Sequence, residues 1–536
     1  MLNSRDFNGS AEFVRKQLSR ILSSHEFKNS QVVSRFLEFV VEEVLAGRAN
    51  EIKEYTVGVK ALGRSPDFNP QFDALVRIHA GRLRRMLREY YNGNTSSEPL
   101  QIDIPKGSYV PVFKLLDTTN IAQASVKSTN GIGGEYQNGL YRKATVAVFP
   151  FHNLSADDSK NYFAEGIGEQ LCVELARFEH LSVISYYSTY KLAAETDGRE
   201  MHKLFDIDYA ITGSTHFFDG LVQINVQLML AESNAVLWSQ SFTRQFNPDA
   251  VLGLQQDIFE QVLSKVADED GIIARDITNA AATRKKSISG VYDAVYLYFS
   301  FRGRYDQESF ENAKIAVERA AVLDPNNALI CSLLSRLYLL NYIFRTIPDP
   351  GDLQKGKALI EKALWLDANC QYAYKALAWI HLLTGRTHDC KRAIGQCLAL
   401  NPNAVATLGN MGFLNICISE YSEGFRLLMK ASSLYPILPW YCNIGFALYY
   451  YYAGKYEEAY DWAKKAQPSD MPFITLVRLA TQQKIKARKN DTRQKTAPIS
   501  REITDRGAEI MSLFIHDSDL RERLQKELHS SGVVIE

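Results

Sequence analysis

Between residues 290 and 468 the chain repeats itself, and the period restricts what that half can fold into. Asp324-Pro325, Asn401-Pro402 and Tyr435-Pro436 each close a helical stretch, and Asp367-Ala368 is a fourth member without the proline. Proline cannot continue a helix, so each marks a stop. The steps from 368 to 402 and from 402 to 436 are each 34 residues, the length of one helix–turn–helix unit. The step from 325 to 368 is longer, and FRTIPDPGD is expected to be the insert that lengthens it. Within the unit, LLTGRTHDCKRAIGQCLALNP and YYYAGKYEEAYDWAKKAQP show paired-helix texture. Such a unit cannot bury its apolar face alone, so neighbours should stack into an all-α superhelix with a concave face.

These repeats resemble tetratricopeptide (TPR) units, which implies a protein or peptide partner on the concave face. His381, His388, Cys390 and Cys397 fall inside the repeat and read as packing residues rather than a metal site. The seven cysteines have no metal-ligand spacing and read as reduced core residues of a cytoplasmic protein. Ala431 to Gly454 carries no charge and is long enough for a membrane span. Pro436, Pro439, Asn443 and its fit to the repeat instead favour a buried helical hairpin, and no membrane association is expected. The polar N-terminus MLNSRDFNGS carries no secretory signal. Beyond Pro468, QQKIKARKNDTRQK reads as a basic solvated loop, followed by helices that close the superhelix, so 469–536 is a basic loop with capping helices.

At the other end, FDALVRIHAGRLRRMLREYY (72–91) reads at helical period as an apolar stripe of Leu75, Ile78, Leu83, Met86, Leu87 and Tyr90. Off the stripe lie Arg77, Arg82, Arg84, Arg85 and Arg88, with no acidic residue between Asp73 and Glu89. Asp73 is placed to cap the helix start. Gly81, mid-helix, lets a phosphate or another helix approach the backbone. A helix anchored by one face with guanidiniums on the other suits a polyanion; a solvated arginine face is the plainer reading. Chain-wide, Lys+Arg and Asp+Glu are both 61, so the signal is local.

Helices over 11–47, a short helix in IKEYTVGVKALG (52–63), the basic helix, and two short strands in LQIDIPKGSYVPVF (100–113) give the order of a winged helix over residues 10–113. In that arrangement the basic helix enters the major groove of double-stranded DNA and the hairpin touches the backbone. VRIHAGRLRRML resembles the recognition helix of the OmpR/PhoB-type DNA-binding domain, with Val76, His79, Leu83, Arg84 and Leu87 on its pattern. PKGSY resembles that family's wing through Lys106, Gly107 and Tyr109, but is one residue shorter and lacks the second glycine. The resemblance implies that Arg77, His79, Arg82, Arg84, Arg85, Arg88 and Lys106 face DNA or another polyanion.

After a Ser/Thr/Gly/Asn-rich linker (117–142), residues 143–270 alternate strands and helices: ATVAVFPFHNLS, NYFAEGIGEQLCVELARF, LSVIS, then DYAITGST, LVQINVQLML and AVLWSQSF, closed by a helix near 249–268. AVFPFHNLS, YFAEGI, DYAITGS and LWSQSF resemble the TolB N-terminal-like domain, a module found beside winged helices in CadC-like regulators. Gly166 to Gly168 is expected to be a tight strand-to-helix turn rather than a phosphate cradle. Asp157/Asp158 and Asp206/Asp208 read as turn and strand-edge residues rather than metal ligands. The fold class expected is therefore multidomain α+β: N-terminal winged helix, central α/β TolB-like domain, C-terminal TPR superhelix.

No Walker loop, G-x-S-x-G or H-E-x-x-H is present. SRFLEFVVEEVLAGR, IKEYTVGV, VRIHAGRLRR and HDSDLRERLQKEL are similar to a group of alphaproteobacterial proteins assigned as class VI adenylate cyclases. That resemblance spans nearly the whole chain and implies conversion of ATP to cyclic AMP and pyrophosphate, with a divalent metal (Mg or Mn) on the triphosphate. It brings no catalytic residue. The alternative is a DNA-binding transcriptional regulator with TolB-like and TPR sensing parts and no catalysis. Both imply a cytoplasmic protein.

Overall fold

The computed structural model describes residues 11–28, 30–65, 68, 75–93, 100–105, 108–115, 142–193, 206–247, 250–283, 290–435, 437–468, 471–489, 503 and 505–529. The chain divides into two compact units, Met1–Gly139 and Leu140–Glu536. It is a mixed α/β protein, largely helical, with a helical repeat region toward the C-terminus.

In the first unit, α1 (Ala11–Leu22), α2 (His25–Lys28) and α3 (Gln31–Leu45) precede α4 (Glu54–Thr56), which runs on as a wider turn over Val57–Ala61. α5 (Leu75–Gly93) follows, then β1 (Leu100–Asp103) paired antiparallel with β2 (Val112–Leu115), Leu100 opposite Leu115. α3 turns Val33, Phe36, Leu37, Val40 and Val41 inward at helical spacing, into the same core as Ile102 and Ile104. Gly58 is fixed by sterics: a Cβ there would sit 2.5 Å from the Phe68 ring. Tyr91 joins three elements, its hydroxyl accepting from the Ile102 N–H at 2.7 Å and from Gln17 Nε2 at 3.5 Å.

The second unit begins with β3 (Ala144–Val148), β4 (His152–Asn153), α6 (Asn161–Leu175), β5 (Leu181–Ile184), α7 (Tyr186–Ala193), β6 (Tyr209–Phe218), β7 (Leu221–Leu230), β8 (Val236–Gln245) and α8 (Val251–Val266). The sheet order is β5-β3-β6-β7-β8, with β4 added beside β6. β3 is parallel to both neighbours, while β6, β7 and β8 form an antiparallel meander. The patterns agree with those roles: β3 is buried at every position, whereas β7 buries only Val222, Ile224, Val226 and Leu228. Gly166 and Gly168 do not form a strand-to-helix turn. They lie inside α6, where a Cβ on Gly168 would meet the Tyr186 ring at 2.7 Å, so the glycine serves close helix packing. Arg142 pairs with Asp206 at 3.3 Å and Asp208 at 2.9 Å, and Asp157 caps the turn at Ser159.

α9 (Ile272–Thr283), α10 (Val291–Arg304) and α11 (Gln307–Leu323) lead into the repeats. These are the hairpins α12 (Ala328–Phe344) with α13 (Pro350–Leu366), α14 (Gln371–Leu383) with α15 (Thr387–Leu400), α16 (Val405–Cys417) with α17 (Tyr421–Leu434), and α18 (Trp440–Tyr452) with α19 (Tyr456–Lys465). The long first step is only partly an insert. α12 and α13 are 17 residues each against 13 and 14 for α14 and α15, because Asp349 caps and Pro350 starts a full-length helix inside the expected insert.

α20 (Pro472–Lys489), α21 (Gly507–Phe514) and α22 (Ser518–His529) close the unit. The first half of the expected basic loop, up to Lys489, continues α20 as helix; residues 490–495 lie outside the described residues. The uncharged stretch 431–454 folds as the end of α17 and α18, packed within the repeat. Among the described residues no helix is long and apolar enough to cross a membrane.

Candidate functional site

α5 buries Val76, Ala80, Leu83, Met86, Leu87, Tyr90 and Tyr91, a wider stripe than the sequence suggested because Val76, Ala80 and Tyr91 also face the core. The helix register puts positions 77, 81, 85 and 88 away from that stripe. Gly81 is exposed, and a Cβ there would meet nothing within 4 Å. Packing inside the protein therefore does not require this glycine. The side chains of Ile78, Arg77, Arg85 and Arg88, together with Asp73, Lys106 and Gly107, lie outside the described residues.

Arg84 has a structural task. Its Nε donates to the Ile104 carbonyl at 2.8 Å and its Nη2 to the Ser108 carbonyl at 2.7 Å, strapping α5 to the segment between the strands. His79 is half-buried and its Nδ1 has no hydrogen bond in the protein. Burial, then the charges of Arg82 and Arg64, push its pKa down to about 4, so the ring is neutral near pH 7.

The second unit holds a polar seam where the α/β half meets the repeats. α14 and α16 start at Cys370 and Ala404, which supply no side-chain cap. Carboxylates from the α/β half do so instead: Glu179 accepts from the Gln371 N–H, and Asp268 accepts from the Ala406 N–H at 3.0 Å. Negative charge at a helix start satisfies orphan N–H groups and complements the helix dipole. Glu174 holds Asn403 at 2.9 Å, and Glu260 pairs with Lys430 at 2.8 Å.

The C-terminal helices act at the opposite ends. Arg506 donates to the Thr346 carbonyl just past α12, and Arg523 to the Tyr451 carbonyl of α18. His516 serves two helices, its Nε2 on the Leu382 carbonyl and its backbone N–H on the Cys417 carbonyl. Every residue of α16 is buried, against only Gly424, Leu427, Leu428 and Ala431 of α17. α16 is thus covered on all sides by this chain.

Beneath the seam lies Glu269, 4% exposed, with Lys375 Nζ at 2.6 Å and Arg302 Nη1 at 3.9 Å. Burial opposes its ionisation, but the charges of Lys375 and Arg302 outweigh it and hold its pKa down at about 2. Next to it, burial and then the Glu269 charge push Asp268 up to about 6. His180 donates through Nε2 to the Ala267 carbonyl at 3.0 Å, and burial brings it down to about 4. Sequence reasoning missed Glu179, Asp268, Glu269, Arg302 and Lys375. The available signal was a lone cation in an apolar helix, Lys375 in QYAYKALAWIHLL, and the acidic run Asp268–Asp270 after an amphipathic one. His381, His388, Cys390 and Cys397 do not converge: among the described residues no group of three or more His, Cys, Asp or Glu could hold a metal ion.

Residues 142–261 match a family described as the second domain of HilA/YgeH-like transcriptional regulators. A curated relative, putative adenylate cyclase 3 of Rhizobium meliloti (strain 1021), is 25% identical over 330 residues, 56% of this chain. The chain spans about half the length of that relative, 51%. Among solved structures, a tetratricopeptide repeat protein from Parabacteroides merdae is 14% identical over 48% of this chain and 91% of that one, with a TM-score of 0.25. The lipoprotein GNA1162 of Neisseria meningitidis is 16% identical over 22% of this chain and 97% of that one, with a TM-score of 0.18.

Proposed function

We propose that this chain is a cytoplasmic DNA-binding transcriptional regulator. In this reading the first unit is a winged helix that lays α5 into the major groove of double-stranded DNA, and a TolB-like module with tetratricopeptide-type repeats senses a signal. The observation that carries it is α5 itself: one face is fully buried, Arg84 straps it to the hairpin, and Gly81 opens the other face to close approach. The regulator-domain match over 142–261 supports it. A protein partner would dock on outer repeat helices, where Trp365 of α13 is 82% exposed.

The test is duplex DNA binding across salt concentrations, by wild type and by Arg85→Ala/Arg88→Ala. Arg84 is left intact because it is needed for the fold. Loss of two phosphate contacts should lower the slope of log K against log salt by roughly 1 per contact. An unchanged slope with unchanged affinity removes α5 as the interface.

The second reading, adenylate cyclase, rests on the curated relative's name. Among the described residues no group of three or more His, Cys, Asp or Glu is gathered to hold Mg or Mn. Cyclic AMP formation from ATP by the purified full chain, with either ion, decides it: activity that co-purifies with the protein supports this reading, and none in either ion removes it.

A further inference from the structure

Where α9 and α10 meet α18 and the loop before it, a cavity of about 540 Å³ opens, within the range of small-molecule sites. Its lining includes buried Arg302 and Trp440 as well as Tyr305, and toward solvent the exposed Arg275, Arg304 and Lys465. Arg302 is 4% exposed. Its Nη2 donates to the Tyr441 hydroxyl at 2.7 Å, but its Nε and Nη1 make no hydrogen bond in the protein. The same holds for Trp440 Nε1 and the Tyr305 hydroxyl.

These groups have a common chemistry. The indole N–H and the guanidinium N–H groups can only donate, and the hydroxyl can donate. Glu269 does not neutralise Arg302 alone, because its Oε1 is committed to Lys375 and its Oε2 stands 3.9 Å from Arg302. The cationic side chains lining the cavity outnumber its carboxylates. A buried charge with free donors is destabilising unless an acceptor arrives. Aromatic walls add faces on which a ring can lie.

We propose that this cavity binds a small organic anion, a planar ring bearing a carboxylate or phosphate that is held by Arg302 and the neighbouring donors. The proposal goes beyond the regulator reading and does not depend on DNA binding.

The experiment is thermal unfolding of the full-length protein with benzoate, phenyl phosphate and inorganic phosphate, at millimolar concentration and constant ionic strength. Wild type is compared with Tyr305→Phe, with Arg275→Gln at the mouth, and with exposed Tyr187→Phe as control. Tyr305→Phe deletes only a hydroxyl that has no partner, so it should fold with unchanged Tm. Benzoate or phenyl phosphate should raise the wild-type Tm saturably, and each cavity variant should weaken the apparent Kd by about tenfold while the control does not. The larger of the two shifts identifies the anion, and a smaller effect of inorganic phosphate marks the contribution of the ring. The proposal is overturned if no probe shifts Tm, if the shifts are equal in all variants, or if Tyr305→Phe alone lowers Tm.

Discussion

Replacing Lys375 with methionine should unbalance the seam in a way that depends on pH. Methionine keeps the apolar stem and most of the volume, so the packing change alone should cost less than about 1.5 kcal/mol. What is lost is the partner at 2.6 Å of a carboxylate only 4% exposed, leaving Arg302 at 3.9 Å. Breaking a buried pair from one side costs about 3–5 kcal/mol. In the wild type the Glu269 pKa is lowered from 4.5 to about 2, so its stabilisation is fully present above pH 4.5 and is lost as pH falls through 2. Without Lys375 the burial effect gains weight and the folded pKa rises. If it passes 4.5 the sign reverses: the penalty is full at pH 7 and shrinks as pH falls and Glu269 takes up a proton. Urea unfolding followed by tryptophan fluorescence reads this directly, because Trp238, Trp365, Trp379, Trp440 and Trp462 all lie in the second unit. Lys375→Met should be destabilised more at pH 7 than at pH 5, and adding Glu269→Gln should restore part of the loss. Equal destabilisation at both pH values, with no recovery in the double variant, would refute an electrostatic seam and leave only packing.

Three further outcomes follow from the same geometry. Arg84→Met should destabilise the first unit by about 1.5–3 kcal/mol, the range for charged hydrogen bonds, and should lower hydrogen-exchange protection at the β1–β2 amides. His180, whose pKa is lowered from 6.5 to about 4, contributes stability that is complete above pH 6.5 and lost as pH falls toward 4. The loss should reach about 3 kcal/mol, and His180→Gln should flatten that slope in denaturation measured from pH 7 to 4. Gly81→Ala should stabilise α5 by about 0.5–1 kcal/mol, since a Cβ there meets nothing, yet weaken duplex binding if DNA approaches that face; a calorimetric scan and a binding titration on the same sample separate the two.

Local pattern alone carried the elements: the periodicity of α5, the alternation of β7, the turn residues between strands and the spacing of the repeats. Each of these is written in neighbouring residues, because helix and strand periods are properties of the backbone. One local reading failed: Gly166 and Gly168 suggested a turn, but a partner distant in sequence, the ring of Tyr186 against α6, decided otherwise. The insert FRTIPDPGD runs into a helix start set by the Asp349 cap and Pro350.

Tertiary structure alone decided what the charged residues do. Arg84 looked like one more guanidinium on a basic face, and it straps the hairpin. Cys370 and Ala404 supply no cap to the helices they start, and Glu179 and Asp268 complete them. His516 stood between the two expected closing helices with no role, and it satisfies the carbonyl ends of α14 and α16. Hydrophobic period is a local property that any window of sequence displays. Hydrogen-bond and charge partners are set by which elements meet in space, and the pairs that define the seam lie up to 229 residues apart along the chain.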